Sequence, residues 1–502
     1  MKMTNIGRAA AFAACMMITV PAFAQSGTAL PADPFAAPYA LAVVSFRSLA
    51  GFSSAVQATP AVSPAGWTPA PPYDLEDLIV LAASGNTGLA SAASSIAAAN
   101  ADLAGARARR LPGLSAQTSG SYVGNPIGPI SVTAGQFGTY QDVLIPPRDM
   151  VIYKGMESTY YEFKLIGEAP LFTWGKLDKG IELAGLGVEA AELQFRKTLH
   201  ELGLRIRGVY ESIQYLVLAD GILDLQEDIG ERLVAIAEES ARAGFMTATD
   251  LLGARIKLKE VELARYRLAE NRNRLVSELA RLTGLDGLSL EDLEPTSPVA
   301  GVPSWTEQAA ADAALAGNFD LALLDLLVES KRGLSELADL TSRGLPDLGL
   351  RLELSYAGSR FPFLETDWFR ADDYQLTLSL GTSSQLFSAR LSQGDAARAR
   401  AELDEATERR VEARGSVRDF VRETYLALDL ARFRLEYALL KQESWAADLE
   451  QKRALIRVGA GVESEYLALM LEALGGIAEA YGTLAEYRAS VLAIEGAVGS
   501  AR

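Results

Sequence analysis

Histidine and cysteine are almost missing from this chain: His200 and Cys15 are its only examples among 502 residues. Nucleophile–histidine pairs, thiolate metal sites and multi-histidine metal sites are therefore nearly excluded, and His200, in Leu199-His200-Glu201-Leu202, reads as a surface or packing residue. No glycine pattern of the phosphate-loop or dinucleotide-binding kind occurs. Acidic residues outnumber basic ones, 64 to 47, and a net charge of −17 argues against nucleic acid, which needs a basic face. So many carboxylates make any one pair of them uninformative. Beyond the N-terminal leader, no uninterrupted apolar run reaches the roughly 20 residues of a membrane-spanning helix. These absences point away from an enzyme, and no catalytic residue, cofactor or metal is expected.

The leader itself carries Lys2 and Arg8, an apolar run from Ala9 to Val20, and the ending Pro21-Ala22-Phe23-Ala24, so residues 1–24 are predicted to be a secretory signal peptide. Cys15 as a lipid acceptor is the weaker reading, because apolar residues continue past it instead of stopping there. A mature chain starting near Gln25 then has no cysteine, and its fold rests on packing and backbone hydrogen bonds alone.

The rest of the chain repeats itself. Arg242-x-Gly244 with Asp250 matches Arg457-x-Gly459 with Glu465 at an offset of 215, which also maps Leu171-Phe172 onto Leu386-Phe387, Arg207 and Tyr210 onto Arg422 and Tyr425, and Gly284 onto Gly499. Upstream, Leu111-Pro112 pairs with Leu345-Pro346 at 234, so the first copy holds 19 additional residues there, the mark of a loop. The implied organisation is an extension over 25–72, a first repeat over 73–290, a linker over 291–302 and a second repeat over 303–499. Each repeat reads helix, strand, loop, strand, very long helix, tight turn, helix. Proline is absent from Leu171 to Glu294 and after Phe363, which permits uncommon helix lengths. Leu177 to Arg242 and Ser392 to Arg457 are 66 residues each, roughly 100 Å if helical. Apolar residues recur at coiled-coil spacing, as in Ile222, Leu225, Ile229, Leu233 and Ile236 and in Leu251, Ala254, Leu258, Val261 and Leu268. Gly244 and Gly459 stand where these helices must reverse, and glycine supplies the positive-φ cap.

The strands have period two: Leu348, Leu350, Leu352, Leu354 and Tyr356 alternate with Gly349, Arg351, Glu353 and Ser355, and Tyr374, Leu376, Leu378 and Leu380 with Gln375, Thr377 and Ser379. Tyr161, Phe163 and Leu165 do the same in the first copy, and Leu114 to Tyr122 more weakly. Their length and the aromatics near their ends fit strands that cross a bilayer better than an ordinary soluble sheet. Four strands cannot close a barrel, and an open edge in lipid leaves backbone groups unsatisfied. Closure must come from other subunits, and a trimer's twelve strands leave room for a conduit where a dimer's eight do not. The loops, 123–158 and 358–373, would then be extracellular.

In order and in duplicate, Gly85-Asn86 with Leu89, Gly317-Asn318 with Leu321, the two Leu-Pro pairs, Pro170-Leu171-Phe172 with Gly175, and the two glycine turns each followed six residues on by an acid resemble the TolC-type outer-membrane efflux protein family, from about Tyr73 to Gly499. The resemblance implies a mixed α and β fold with an internal tandem repeat: a trimeric twelve-stranded transmembrane β-barrel, four strands per subunit, continuing into a long periplasmic α-helical coiled-coil tunnel. It implies a passive conduit in the bacterial outer membrane, and as partners two further copies (a homotrimer), a periplasmic adaptor (membrane fusion) protein, an inner-membrane transporter and outer-membrane lipid. It places an acidic gate at Glu465, with Asp250 as its counterpart, where both acids read equally as first-turn residues favoured by the helix dipole, and adaptor contacts at the coil tips, Gly244, Phe245, Met246, Thr247, Gly459, Ala460, Gly461 and Val462. Three features depart from the family: Gln385-Leu386-Phe387 lacks the elbow proline, Gly461 stands where some members carry a latching arginine, and the Ala/Pro/Ser-rich extension is additional. That extension, with its apolar patch Tyr39 to Phe46, reads as a flexible linker, the competing reading being a segment that lies along the tunnel or membrane surface. The competing function is a trimeric coiled-coil surface or adhesive protein, which would carry membrane strands at one chain end and not inside both repeats.

Overall fold

The computed structural model describes residues 39–40, 42–43, 70–296, 305–359, 374–383 and 389–499. The signal peptide, most of the extension, the second elbow at 385–387 and most of the loop over 358–373 lie outside them. Element order runs α1 Leu75–Gly85, α2 Thr87–Ala108, β1 Gly113–Tyr122, β2 Ile130–Val132, β3 Thr139–Tyr140, β4 Val143–Leu144, β5 Met150–Tyr153, β6 Thr159–Phe172, α3 Lys176–Arg242 and α4 Ala248–Thr283. It continues with α5 Glu307–Gly317, α6 Phe319–Ser342, β7 Asp347–Gly358, β8 Tyr374–Ser383, α7 Ala389–Arg457 and α8 Glu463–Val498. The chain divides into two compact units, one of residues 1–96, 190–325 and 408–502, the other of 97–189 and 326–407.

The second unit holds a four-stranded antiparallel sheet in the order β1-β6-β7-β8. Alternation and register give it two unlike faces. Leu114, Gly167, Leu352 and Leu378 lie in one row, Ala116, Leu165, Leu354 and Leu376 in the next, and Leu350 faces Leu380 on the same side. The opposite face carries Gln117, Lys164, Ser355 and Gln375, then Gly113, Glu168, Arg351 and Ser379. There Arg351 reaches Glu168 at 2.8 Å and Glu353 at 2.9 Å, and Lys164 pairs with Glu162. Among the described residues β1 and β8 each have a single neighbour, so neither outer edge of the sheet is paired there. Between β1 and β6, the segment expected to be a plain loop instead forms two small antiparallel pairs, β2 with β5 and β3 with β4. Strands this short leave too little alternation to stand out in sequence.

The first unit is helical. On α8, Tyr466, Met470, Ala473, Ile477, Ala480, Leu484, Tyr487 and Val491 are buried at steps of four and three, a coiled-coil seam. They form one core with Tyr215, Ala219, Ile222 and Ile229 of α3 and Val421, Leu428 and Leu435 of α7. A second core joins Leu78 and Ala82 of α1 to Ile206 and Ile213 of α3 and Leu279 and Leu282 of α4. Helix α8 is long and apolar enough to cross a membrane although its apolar residues form no uninterrupted run. Its apolar residues are instead spent on that core, which accounts for its composition.

The repeated Gly-Asn-x-x-Leu motif has a physical cause. A Cβ on Gly85 would lie 2.7 Å from the Thr283 carbonyl, and one on Gly317 would lie 2.6 Å from that of Val498, so only glycine lets the short helix end against the returning one. The asparagine then donates across the gap, Asn86 to the Leu282 carbonyl (2.9 Å) and Asn318 to that of Ala497 (3.4 Å). Its side-chain oxygen accepts from the amides of Leu89 and Leu321, both at 3.1 Å, and so starts the next helix.

Two expectations change. The flexible-linker reading of the extension fails at Tyr39, Ala42 and Val43, which are helical and buried in the α8-centred core, because apolar side chains beside an apolar seam lose more by staying in water. The linker begins later than residue 291: a 3-10 turn, Leu290–Asp292, is followed by Tyr73 and Leu293 in a bridge, with Glu294 donating to the Tyr73 carbonyl at 2.9 Å. Tyr210 and Gln214 of α3 both donate to the Glu294 carbonyl, at 2.7 and 3.1 Å, fixing this stretch to the first repeat.

Candidate functional site at the helix reversals

Helices α3 and α7 end alike. Gly244 (φ +79°) and Gly459 (φ +76°) take the left-handed conformation. Phe245 donates to the Ser240 carbonyl (2.9 Å) and Gly244 to that of Ala241 (3.1 Å), while Ala460 donates to Leu455 and Gly459 to Ile456, both at 3.0 Å. Both are Schellman turns, which satisfy carbonyls the helix end would otherwise leave open.

After the glycines the two reversals diverge. Thr247 begins α4 with a capping box: its hydroxyl oxygen accepts from the Asp250 amide (3.2 Å), and the Asp250 carboxylate accepts from the Thr247 hydroxyl (2.7 Å) and amide (3.4 Å). Val462, at the matching place before α8, has no side-chain cap to offer. Glu465, the counterpart of Asp250, instead accepts from Lys452 of α7 at 2.8 Å and is exposed. Asp250 is thus committed to a helix start, whereas Glu465 is a surface carboxylate held by one lysine. Arg232 of α3 reaches Glu463 of α8 with two nitrogens, at 3.1 and 3.2 Å, so the two helical hairpins are tied to one another near their tips. Neither Lys452 nor Arg232 was singled out in the sequence, although Lys452 and Glu465 lie nearly equidistant from the turn, the arrangement that makes them face in a hairpin.

Gly461 also has a geometric reason. A Cβ there would lie 2.6 Å from the Ile456 amide nitrogen, so the second turn folds back too tightly for an arginine, or any side chain, at that position. Met246 occupies the corresponding place in the first turn. At the tips Phe245 is 89% exposed, and Val458 and Val462 are exposed as well.

Residues 78–288 match the family model for outer membrane efflux proteins. Over that stretch the chain resembles the outer membrane efflux protein family. Among solved structures, CusC, described in terms of transmembrane channel formation, superposes with a TM-score of 0.68 at 16% identity, over 85% of this chain and 92% of that one. The outer membrane protein VceC of Vibrio cholerae gives 0.65 at 16% identity over 85% and 96%. The CmeC outer membrane channel of Campylobacter jejuni gives 0.65 at 16% over 90% and 94%. At such identity these likenesses establish the fold of the family and nothing finer. No curated protein matches the chain. The efflux-family match ends just after α4 and so includes the first reversal; the second rests on the fold.

Proposed function

We propose that the chain is one subunit of a trimeric export channel of the outer membrane, a passive conduit in a tripartite efflux or type I secretion system. An inner-membrane transporter would deliver cargo through a periplasmic adaptor. The observation that carries this reading is the sheet: an exposed leucine face, a charged opposite face and two edges unpaired among the described residues. Water opposes the first and lipid opposes the last, so three copies closing twelve strands, leucines outward, satisfy both. The helical unit supports it, since exposed apolar residues run at heptad spacing along α4 (Leu252, Ile256, Leu263, Tyr266) and α7 (Leu426, Leu430, Phe433, Tyr437, Leu440). Seams of this kind fit neighbouring subunits in a coiled-coil wall. The test is a planar-bilayer recording of purified protein: discrete conductance steps from a trimeric band support the proposal, and a monomer without conductance overturns it.

In this reading the reversals are the periplasmic tips, with Phe245, Met246 and Thr247 and their counterparts Ala460, Gly461 and Val462 as the adaptor surface. Residues 123–158 are extracellular. A Gln136→Cys protein should therefore react with an impermeant thiol reagent on intact cells; labelling only after the outer membrane is breached would reverse the topology.

Glu465 is proposed to line the aperture. Three carboxylates converging on one axis would favour cations, tempered by the Lys452 beside each. Glu465→Ala should abolish cation selectivity and block by multivalent cations, Lys452→Ala should strengthen both, and Asp250→Ala, whose carboxylate serves a helix cap, should change neither. Reversal potentials in a salt gradient read all three, and unchanged selectivity in Glu465→Ala would place the constriction elsewhere.

A further inference from the structure

The apolar face of the sheet is bounded at both ends. From Leu348 to Tyr356 the leucine row of β7 covers nine residues, about what a tilted membrane-crossing strand needs. Aromatic pairs close it: Tyr356 with Tyr374 at one end, ring centroids 5.0 Å apart, and at the other Phe172, whose strand partner is Leu348, edge to face with Trp174 at 4.9 Å. Aromatic residues flanking an apolar band mark the levels at which lipid tails give way to headgroups.

At the second of these levels three contacts draw the chain together. The Trp174 indole donates to the Pro346 carbonyl at 2.9 Å, Lys176 reaches Asp347 at 2.9 Å, and Arg110 pairs with Asp178. The ends of α2 and α6, which lead into β1 and β7, are thereby held on either side of the link from β6 to α3.

Those two helix ends carry cations. Arg107, Arg109 and Arg110 close α2, and Arg343 follows α6 as the counterpart of Arg109, at the offset of 234 that also relates the two Leu-Pro pairs. All four are exposed. Arg110 has its carboxylate, whereas Arg107, Arg109 and Arg343 make no ion pair among the described residues. In a chain of net charge −17 this is a local reversal of sign. The helix macrodipole accounts for one cation at a C-terminus, but not for three within four residues. Beside them Leu111 and Leu171 are exposed, as is Phe172, so charge and hydrocarbon are offered together. A free anion has no use for the hydrocarbon. A phospholipid uses both, its tails against the leucines and Phe172 and its phosphate on guanidinium groups, whose planar fork matches phosphate oxygens.

We infer that Arg107, Arg109 and Arg343 bind the headgroups of anionic phospholipids in the periplasmic leaflet of the outer membrane. The inference rests on the sheet being a membrane wall.

Native mass spectrometry of the purified full chain, equilibrated with equal amounts of phosphatidylglycerol and phosphatidylcholine, tests it. Phosphatidylglycerol should be retained in preference. Arg343→Gln should cut that preference about fivefold, the effect of one cation at an anionic lipid surface, and the triple variant Arg107→Gln, Arg109→Gln, Arg343→Gln should abolish it. Arg148→Gln, which removes an exposed arginine of the 123–158 segment, should leave it unchanged, and excess inorganic phosphate should not displace the lipid. Equal retention of the two lipids, a preference that survives the triple variant, one lost as fully in Arg148→Gln, or displacement by phosphate overturns the assignment. The same spectrum counts subunits: a trimer without the preference fails this inference alone, whereas a monomer overturns the membrane-wall reading and the inference with it.

Discussion

Leu352→Arg should sharply reduce the amount of assembled protein, whereas Glu353→Gln, one residue along the same strand, should assemble normally. Leu352 lies between Gly167 and Leu378 in its cross-strand row, with Leu350 and Leu354 above and below it on the same face. Its side chain is 46% exposed although the row around it is apolar, as expected of a surface whose solvent is lipid. An arginine placed there near mid-membrane costs roughly 2–4 kcal/mol, and the cost falls away toward the interfaces. Glu353 occupies the charged face, where Arg351 is also paired with Glu168, so neutralising one carboxylate leaves the arginine a partner. The trimer band on mildly denaturing gels compares the two variants. Equal losses would reject the assigned faces, and with them the argument that three sheets close a barrel.

How far the sequence carries this structure depends on whether a feature repeats. The long helices have many turns over which to state a period, and so the expected starts at Leu177 and Ser392 lie within three residues of the observed Lys176 and Ala389, with both ends at the expected arginines. The alternation of Leu348 to Tyr356 likewise fixes both faces of β7, since period two admits one inward set. The reversals were legible because a single residue type, glycine, solves a helix end that needs positive φ. Features decided by a single distant partner were not legible. Nothing in Tyr39-Ala40 or Ala42-Val43 says which apolar seam they meet, and the chain between 123 and 158 is too short in each strand to show a period. The contrast between the two reversals could have been read, because Thr247 three residues before Asp250 is a capping pair and Val462 before Glu465 is not. What could not be read is that Lys452 would take up the carboxylate thus released.

The most buried ion pair among the described residues supplies the second large effect. Arg488 of α8 grips both oxygens of Glu211 of α3, at 2.7 and 3.1 Å, and Arg207 completes the group by reaching Glu495 at 3.3 Å. The Arg488 and Glu211 side chains are 10% and 16% exposed, so each was taken largely out of water and is compensated by the other. Arg488→Met should therefore leave Glu211 only Arg207, at 4.0 Å, and destabilise the helical unit by about 3 kcal/mol, the lower end of the range for removing one partner of a buried pair. Arg488→Met combined with Glu211→Leu removes both charges, and most of the loss should return, because the desolvation that the pair had to overcome goes with them. The repeat offset adds a contrast: α4 carries Asn273 and Ala280 where α8 carries Arg488 and Glu495, so these charges are present on only one of the two returning helices. A buried group that costs stability yet selects a partner is a registry device, here one that seats α3 against α8 in a single alignment. Thermal melting of the solubilised protein, followed by loss of helical circular dichroism, measures the single and double variants on one scale. A double variant as unstable as Arg488→Met would show that the arginine acts through its packed methylenes, and the registry argument would then fail.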